Sequence, residues 1–309
     1  MKTPAVPAVM RARRGAVLLA VATIALAACG TVGGPSASAS PGVPSHAGST
    51  PPTTPPVTPA IGSIEHEMGA TDVVFRFDEG GGFVPMGFFA TEAPIFTLYG
   101  DGTVIFKDGN AAPPPDADGI LRTAPYRTVK LTEDQLQAFL QTAISDGGLG
   151  VARANYGSVG ADLPTATFTI NAGRMTKSVS VMALGMDRGD SPDTLILQAL
   201  AGLGERIRDF GREVEGEGVW VPDRWRGILT PDALNRPRAW PWPGVVPADF
   251  LQHPEPGAPR FPVRTMSVDE VAALGLDDID GGFSSLSMSG PDGLIYLFGL
   301  RPLFPDESY

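Results

Sequence analysis

A stretch without charge near the start of the chain constrains the fold more than any other feature of the sequence. Residues 30–62 contain no Asp, Glu, Lys or Arg and are rich in Pro, Ser, Thr and Gly. A segment of this composition buries too little apolar surface to offset the entropy lost on ordering, so we predict a disordered linker over residues 29–62. Such a linker spans ~100 Å as polyproline II and ~30 Å root-mean-square as a flexible coil. We therefore expect a folded core only from residue 63 onward.

The segment before the linker has the pattern of a secretory signal. Four basic residues precede an uncharged run from Gly15 to Ala28, which is shorter than the ~20 apolar residues that a membrane-spanning helix needs. A basic start, a short apolar middle and small residues before a cleavage site are typical of a signal peptide, so we assign residues 1–28 to one. The pair Arg13-Arg14 leaves both twin-arginine export and the general secretory route open.

Cys29, the only cysteine of the chain, follows that apolar run directly. The sequence Leu26-Ala27-Ala28-Cys29 resembles the lipobox of bacterial prolipoproteins. The resemblance implies cleavage before Cys29, a thioether between its sulfur and diacylglycerol, and a lipid anchor on the extracytoplasmic face of the cell membrane. Two acyl chains hold a protein stably, because each buried CH₂ contributes ~0.8 kcal/mol. The alternative is an ordinary signal peptide with a chance cysteine beyond its cleavage site.

The charge balance narrows the expected partners. The chain has a formal net charge of −11, and residues 1–28 hold four basic and no acidic residues, so the chain without them carries −15. An acidic surface disfavours a nucleic-acid partner and a general attraction to anionic lipid. We expect the membrane as a partner through the anchor, a cell-wall component or a protein as a second partner, and no cofactor. With no cysteine after Cys29, residues 63–309 must fold without disulfides.

Hairpin patterns open the folded part. Asp101-Gly102 lies between two runs of alternating apolar residues, which is a strong hairpin signal. Residues 165–170 and 177–184 also alternate and predict a second hairpin, with Phe168, Ile170, Val179 and Val181 facing inward.

Helix signals separate and follow these hairpins. Thr132 and Gln135 form a capping box before an amphipathic run, and Ser191 with Pro192 marks the start of a second helix. Because strands and helices do not alternate one by one, the order favours an α+β domain over residues 63–215. We expect an antiparallel sheet built of hairpins, with two or three helices packed on one face.

The composition changes near residue 216. Tryptophan, proline and arginine crowd the next stretch, which predicts extended and irregular backbone. A short helix from Ser267 and a hairpin turning at Pro291-Asp292-Gly293 complete the chain. The sequence leaves open whether residues 216–309 form a separate domain or extend the first one.

Familiar catalytic signatures are missing from the sequence. It contains no GxSxG, SxxK or HExxH motif and no phosphate-binding glycine loop, so we predict no catalytic residue and no metal site. His66 and His253 are predicted to be solvated. Residues 276–282 faintly resemble a calcium loop, but taking Gly281 as the turn glycine puts Leu276 and Ser287 where carboxylates are required.

All four tryptophans lie within 23 residues of the sequence and form the one candidate interaction surface. They are interleaved with arginines, as in a stacking surface for glycan rings or a hot-spot patch for a partner protein. The competing interpretation, which we favour, is that the rings pin an irregular segment to the sheet, because large aromatic side chains are mostly buried. The four residues are Trp220, Trp225, Trp240 and Trp242.

Two classes of function remain open. Residues 81–85, 96–102 and 301–307 ("GGFVP", "FTLYGDG" and "RPLFPDE") are similar to stretches of uncharacterised lipoproteins of high-GC Gram-positive bacteria, and this resemblance implies no activity. The first class is a surface-tethered binding or interaction module. The second is an envelope hydrolase that uses a pair of carboxylates. We favour the first, because enzymes usually leave a recognisable nucleophile, base or metal cluster in the sequence.

Overall fold

Two β-sheets carry most of the regular structure. They are seen in a computed structural model that describes residues 62–84, 86–116, 118–157, 160–231, 236–253 and 261–309. The predicted signal peptide, Cys29 and the linker up to residue 61 lie outside the described residues. Everything described belongs to one compact unit, which therefore includes parts of both 63–215 and 216–309.

Eight strands form the first sheet. They are β1 (Val73–Gly81), β2 (Phe96–Tyr99), β3 (Thr103–Phe106), β4 (Arg127–Lys130), β5 (Asn155–Tyr156), β6 (Pro164–Ala172), β7 (Met175–Met182) and β8 (Gly218–Val219). Their spatial order is β5-β7-β6-β1-β2-β3-β4-β8. Neighbouring strands are antiparallel except for β5 and β7, which are parallel.

Five strands form the second sheet. They are β9 (Arg224–Pro231), β10 (Arg238–Ala239), β11 (Val263–Ser267), β12 (Phe283–Ser289) and β13 (Ile295–Pro302). Their spatial order is β10-β12-β13-β9-β11. Only β10 and β12 run parallel, so this sheet is mixed as well.

Four short helices complete the described structure. They are α1 (Met86–Thr91), α2 (Glu133–Ile144), α3 (Thr194–Arg208) and α4 (Val268–Ala272). Leu140 of α2 and Leu200 of α3 share one core with Phe75 and Phe77 of β1, so these two helices cover one face of the first sheet. Within the described ranges, no helix combines the length and the apolar character needed to cross a membrane.

Several local predictions are confirmed. β2 and β3 pair around Asp101-Gly102, and β6 pairs with β7 with all four predicted inward residues buried. The capping box of Thr132 and Gln135 begins α2, and Ser267 caps α4 in the same way. β12 and β13 form the last hairpin. These signals depend on neighbours in sequence, which is why short stretches reveal them.

Helix α3 begins later than the sequence predicts. Ser191 is not its N-cap, because the Ser191 hydroxyl accepts from the Asp193 N–H at 3.2 Å and its carbonyl from the Thr194 N–H at 3.1 Å. These bonds make a turn ahead of the helix, and the helix starts at Thr194.

The predicted α+β fold class is wrong. The described chain is mainly β, with two mixed sheets, and residues 216–309 add strands β9, β10 and β11 to the predicted last hairpin to form the second sheet. The prediction took the prolines of this stretch as a sign of irregular backbone. Pro222 precedes β9 and Pro231 ends it, so neither removes a hydrogen bond from the strand interior. Between them, Trp225 and Ile228 are buried residues of types that favour strands.

Candidate functional site

The first sheet has a polar face opposite its helices. Side chains alternate along a strand, so Phe75 and Phe77 enter the helix-side core while Arg76 and Asp78 lie on the other face. Tyr99, which follows the core residue Leu98 in β2, is also on this face, in a separate cluster with Tyr126. The face therefore carries charged and phenolic side chains together with a few apolar ones such as Ile105.

Residues 303–309, which we call the inter-sheet segment, cover this polar face. Phe304 packs edge-on against Tyr126 with ring centroids 5.2 Å apart, and its ring is equally far from that of Trp220. Oδ1 of Asp306 accepts hydrogen bonds from Arg76 Nη2 and from the Tyr99 hydroxyl, both at 2.7 Å. Because the segment follows β13, these contacts connect the second sheet to the first.

Glu307 anchors the same segment to the second sheet. Its two oxygens accept from Arg301 Nη1 at 2.9 Å and Nη2 at 2.5 Å, and Oε1 also accepts from Arg226 Nη2 at 3.2 Å. The Phe304 N–H donates to Oε2 at 2.8 Å. Burial opposes ionisation of Glu307, but the hydrogen bonds and charge of Arg301, with the charge of Arg226, hold the pKa of this carboxyl below its usual range.

A polar cleft, here called the seam cleft, opens beside these contacts. It has a volume of about 230 Å³ and lies between β1, the residues before β2 and the end of β13. Its charged lining residues are Arg76, Asp78, Glu79, Glu92, Arg301 and Glu307.

Most carboxylates of the seam cleft are occupied. Glu79 pairs with Arg208 Nη2 at 2.8 Å, and Oε1 of Glu92 accepts from the Gly81 N–H at 2.8 Å. Asp78 differs, because its side chain makes neither a hydrogen bond nor an ion pair with any described residue. Burial, followed by the opposing charge of Arg76 and the like charge of Glu307, raises the pKa of Asp78 to about 6.

Lys107 is a second charged side chain without a partner among the described residues, and it lines a pocket other than the seam cleft. Its stem lines a neighbouring, mainly apolar pocket, and Nζ lies 5.4 Å from the centre of the Tyr126 ring. Among the described residues, Nζ has no hydrogen-bond or ion-pair partner. Burial and the charge of Arg301 lower the pKa of Lys107, while Glu92 and Asp78 act in the opposite direction. Lys107 forms no ion pair with Asp78, and the two residues line different pockets.

Two more donors in this layer lack an acceptor. The hydroxyl of Tyr126 and Nε of Arg301 are buried and have no hydrogen-bond partner in the described part of the chain. Buried polar atoms are nearly always hydrogen-bonded to protein or water. These two donors, like the carboxyl oxygens of Asp78, are left without a protein partner among the described residues.

The four tryptophans lie in hydrophobic clusters. Trp225 and Trp242 are 5% and 4% exposed, and Trp242 Nε1 donates to the Glu270 carbonyl at 2.7 Å. Trp220 and Trp240 are half-buried, and Trp240 packs edge-on against Trp242 with ring centroids 5.1 Å apart. The two buried rings offer no free face to a glycan, and the four indoles do not form one continuous surface.

The two histidines of the folded part are packed against protein groups. The side chain of His66 is 3% exposed, its Nε2 lies 3.2 Å from Glu133 Oε1 and its Nδ1 lies 2.7 Å from the Glu67 carbonyl oxygen. The prediction of a solvated imidazole is therefore wrong for His66. The ring of His253 stacks on Tyr309 at 3.9 Å.

The segment that resembles a calcium loop is bound by an arginine. Arg122, which is 7% exposed, donates from Nε to the Asp277 carbonyl at 3.0 Å. In the residues that the structure describes, no three side chains of His, Cys, Asp or Glu converge in a way that suits a metal ion.

The residues of the seam cleft were not predicted from the sequence. Arg76 and Asp78 alternate with buried phenylalanines, a pattern that normally marks a solvent-facing side of a strand. One signal was present: the stretches 96–102 and 301–307 contain Tyr99 and Asp306, which are hydrogen-bonded to each other. Comparisons with protein-family models, with curated proteins and with solved structures found no match for this chain.

Proposed function

We propose that this chain is a lipid-anchored binding protein of the cell envelope, which binds a small polar ligand in the seam cleft. The lipobox-like sequence ending at Cys29 and the charge-free linker support the location. The binding part rests on one observation, which is that Asp78 lines the seam cleft, half-buried, with no hydrogen-bond or ion-pair partner among the described residues.

The energetic cost of this group supports a functional role. A half-buried charge without a partner is unfavourable, and replacing such a group by an apolar side chain of similar volume often stabilises a protein. Groups of this kind with displaced pKa values are concentrated at functional sites. Asp78 is therefore better explained by a ligand that pairs with it than by a contribution to folding.

The size of the cleft limits the ligand. Its volume of about 230 Å³ is below the roughly 300–1,000 Å³ typical of sites for drug-sized molecules. It suits a metabolite-sized molecule or one side chain of a partner better than an extended glycan.

Thermal unfolding with a panel of solutes tests this proposal. The purified protein is heated with about 10 mM of an amino acid, an amino sugar, a dicarboxylate or a sugar phosphate, a concentration that adds about 2.7 kcal/mol of stability for a Kd near 100 µM. We expect at least one class to raise Tm, and Asp78→Asn to abolish the increase. Asp190→Asn is the matched control because Asp190 is exposed. If no class raises Tm, or if Asp78→Asn responds like the unchanged protein, the cleft is not the binding site.

A hydrolase remains the second candidate because of one observation. The pKa of Asp78 is raised to about 6, as in a general acid, and only Oε1 of Glu92 is hydrogen-bonded among the described residues, which leaves Oε2 for a base. Glu79 and Glu307 are held by arginines and suit neither role. Release of soluble sugar from purified cell-wall glycan, lost in both Asp78→Asn and Glu92→Gln, would support hydrolysis. Absence of any release would leave the binding protein as the only candidate.

A further inference from the structure

We propose that the ligand of the seam cleft is a small primary amine, whose ammonium is held between the carboxyl groups of Asp78 and Glu92. This inference rests on the proposed function, because it names the ligand class of the same cleft. It follows from the placement of these two groups, which line one cleft and both keep oxygens that no described residue uses.

The backbone of β1 fixes the carboxyl group of Glu92. Its Oε1 accepts from the Gly81 N–H at 2.8 Å, and its Oε2 lies 2.5 Å from the position that a Cβ on Gly80 would take. The carboxylate therefore occupies the space that Gly80, by lacking a side chain, leaves open. Oε2 has no hydrogen-bond partner among the described residues, so it is available to a donor that enters the cleft.

Asp78 lies on the same side of β1, two residues before Gly80. The strand keeps an unbroken antiparallel register with β6 from Phe75 to Gly81, so positions 78 and 80 share one face and lie ~6.6 Å apart along the strand. A nitrogen that donates to two oxygens at ~2.8 Å bridges a gap of up to ~5.6 Å between them. Carboxyl groups at these two positions are thus spaced for one shared ammonium.

The arginines of the cleft are engaged by other groups. Arg76 uses Nη2 for Asp306 at 2.7 Å and Nε for the Thr97 hydroxyl at 3.2 Å. Arg301 holds Glu307 with both of its terminal nitrogens. The charged lining consists of two arginines and four carboxylates, and an excess of negative charge in a cleft favours a cationic ligand.

An ammonium suits this pair of carboxyl groups better than a metal ion does. It donates up to three hydrogen bonds to separate acceptors, whereas Mg²⁺ and Ca²⁺ take about six or more oxygen ligands. In the part of the chain that the structure describes, no three side chains of His, Cys, Asp or Glu converge in a way that suits a metal ion. Asp78 and Glu92 therefore suffice for an amine but not for a metal site.

The rest of the cleft limits the body of the amine. A volume of about 230 Å³ corresponds to roughly seven or eight water molecules at ~30 Å³ each. That room accommodates a short amino alcohol or a single amino sugar. Ala93 and Pro94 also line the cleft and provide apolar contacts for the carbon atoms of such a ligand.

Three small probes separate the effect of charge from that of hydrogen-bond donation. Ethanolamine carries an ammonium with N–H donors, choline keeps the positive charge without any N–H, and ethylene glycol has no charge. We expect isothermal calorimetry at constant ionic strength to show ethanolamine binding at least ~10-fold more tightly than either analogue, since both analogues lose charge-assisted hydrogen bonds. Equal affinity for ethanolamine and either analogue would overturn the amine proposal.

Two conservative variants assign the acceptors. Glu92→Gln keeps an oxygen for the Gly81 N–H but replaces Oε2 by an NH₂ group, and Asp78→Asn makes the same exchange on the other side. Each should weaken ethanolamine binding at least ~10-fold. Asp190→Asn and Glu205→Gln, which alter exposed residues, should bind ethanolamine like the unchanged protein. Unaltered binding by either cleft variant would remove that residue from the site.

Gly80→Ala tests the position of Glu92 without altering a charge. The added methyl group would lie 2.5 Å from Oε2 and should displace the carboxylate from the cleft. We expect weaker ethanolamine binding at a nearly unchanged Tm, because the atoms that must move are the end of a flexible side chain. Full binding by this variant would contradict the arrangement. The comparison of probes on the unchanged protein does not depend on whether any variant folds.

The result separates this inference from the proposed function. If a sugar phosphate or a dicarboxylate binds in a manner that depends on Asp78 while no amine binds, the amine is wrong and the binding protein stands. If no probe and no solute of the panel binds, both fail.

Discussion

Arg76 and Asp306 are hydrogen-bonded at 2.7 Å although 230 residues separate them in the sequence. Both side chains are 18% exposed, so water screens the pair only partly. The hydrogen bond and charge of Asp306 raise the pKa of Arg76 above its usual value even though burial opposes this. This pair connects the first strand of the first sheet to the segment that follows the last strand of the second.

Removing this carboxylate should destabilise the fold strongly. Asp306→Ala leaves both Arg76 and the Tyr99 hydroxyl without their acceptor, and we expect a loss of about 2–4 kcal/mol in the free energy of unfolding. Asp306→Asn keeps one oxygen acceptor and should cost less. Urea unfolding measures both changes. The control is Asp223→Ala at an 86% exposed side chain, which should change stability by less than about 0.5 kcal/mol; equal effects at both positions would contradict the role of the pair.

Asp78 should make stability depend on pH in an unusual direction. Its pKa is about 6 in the folded protein, raised by burial against the effect of Arg76 and assisted by Glu307, and the ordinary value is 3.8. The folded state therefore binds this proton more tightly than the unfolded state, so the contribution of Asp78 is present below about pH 4 and lost as pH rises through about 6.

The variant Asp78→Asn tests that dependence. At about pH 7.5 it should be more stable than the unchanged protein, by up to about 3 kcal/mol, while near pH 4 the two should be alike. The charged groups that face Asp78 are Arg76, Arg301, Asp306 and Glu307, with Lys107 nearby. Urea unfolding at both pH values gives the difference, and Asp190→Asn should show no such dependence. A variant that is less stable at the higher pH would refute the raised pKa.

The tryptophans should behave as core residues in fluorescence. Because Trp225 and Trp242 are 5% and 4% exposed, we expect blue-shifted emission and weak quenching by iodide. Trp225→Ala should cost about 3–5 kcal/mol through the cavity that it leaves, and Trp220→Ala less because that ring is half-buried. Strong quenching, together with unchanged stability of Trp225→Ala, would favour an exposed interaction surface instead.

Gly282 should tolerate no side chain. It has a φ of +87°, and a Cβ on it would lie 2.2 Å from the Leu300 carbonyl oxygen of β13. Gly293, in the turn of the same hairpin, has a similar φ of +82° but open space around it. Gly282→Ala should therefore lower Tm clearly more than Gly293→Ala, because the backbone strain is shared and only the first variant adds a clash. Equal melting temperatures would show that β13 moves to accommodate the methyl group.

The proposed lipid anchor is tested by Cys29→Ser. We expect the variant to leave the membrane fraction, either as a secreted protein or as an uncut precursor, because the serine oxygen does not form the thioether. Fractionation followed by mass spectrometry of the N-terminal peptide reads both outcomes. A variant that is processed normally and still sediments with membranes would exclude the lipoprotein interpretation.

Local features of this fold were predictable and long-range ones were not. Thr132 and Ser267 mark the starts of their helices through capping partners three residues later in the sequence. Asp101-Gly102 marks its hairpin because the runs on both sides alternate in polarity. Strand β9 of the second sheet was missed because proline counts against a strand unless its position at the strand end is known, as with Pro231. The seam cleft was missed because Asp78 belongs to an alternation of apolar and charged residues along β1. That alternation looks the same in the sequence whether the charged side of the strand is exposed to water or covered by a distant segment.

The inter-sheet segment follows every described strand in the sequence, and this order affects how the fold is completed. The ribosome synthesises β1 long before residues 303–309. The polar face of β1 therefore stays uncovered until those residues have been made. Contacts between such distant residues form slowly because a long loop must close first. Because Arg76 and Asp78 are charged, this uncovered face should promote aggregation of incomplete chains less than a wholly aliphatic face would.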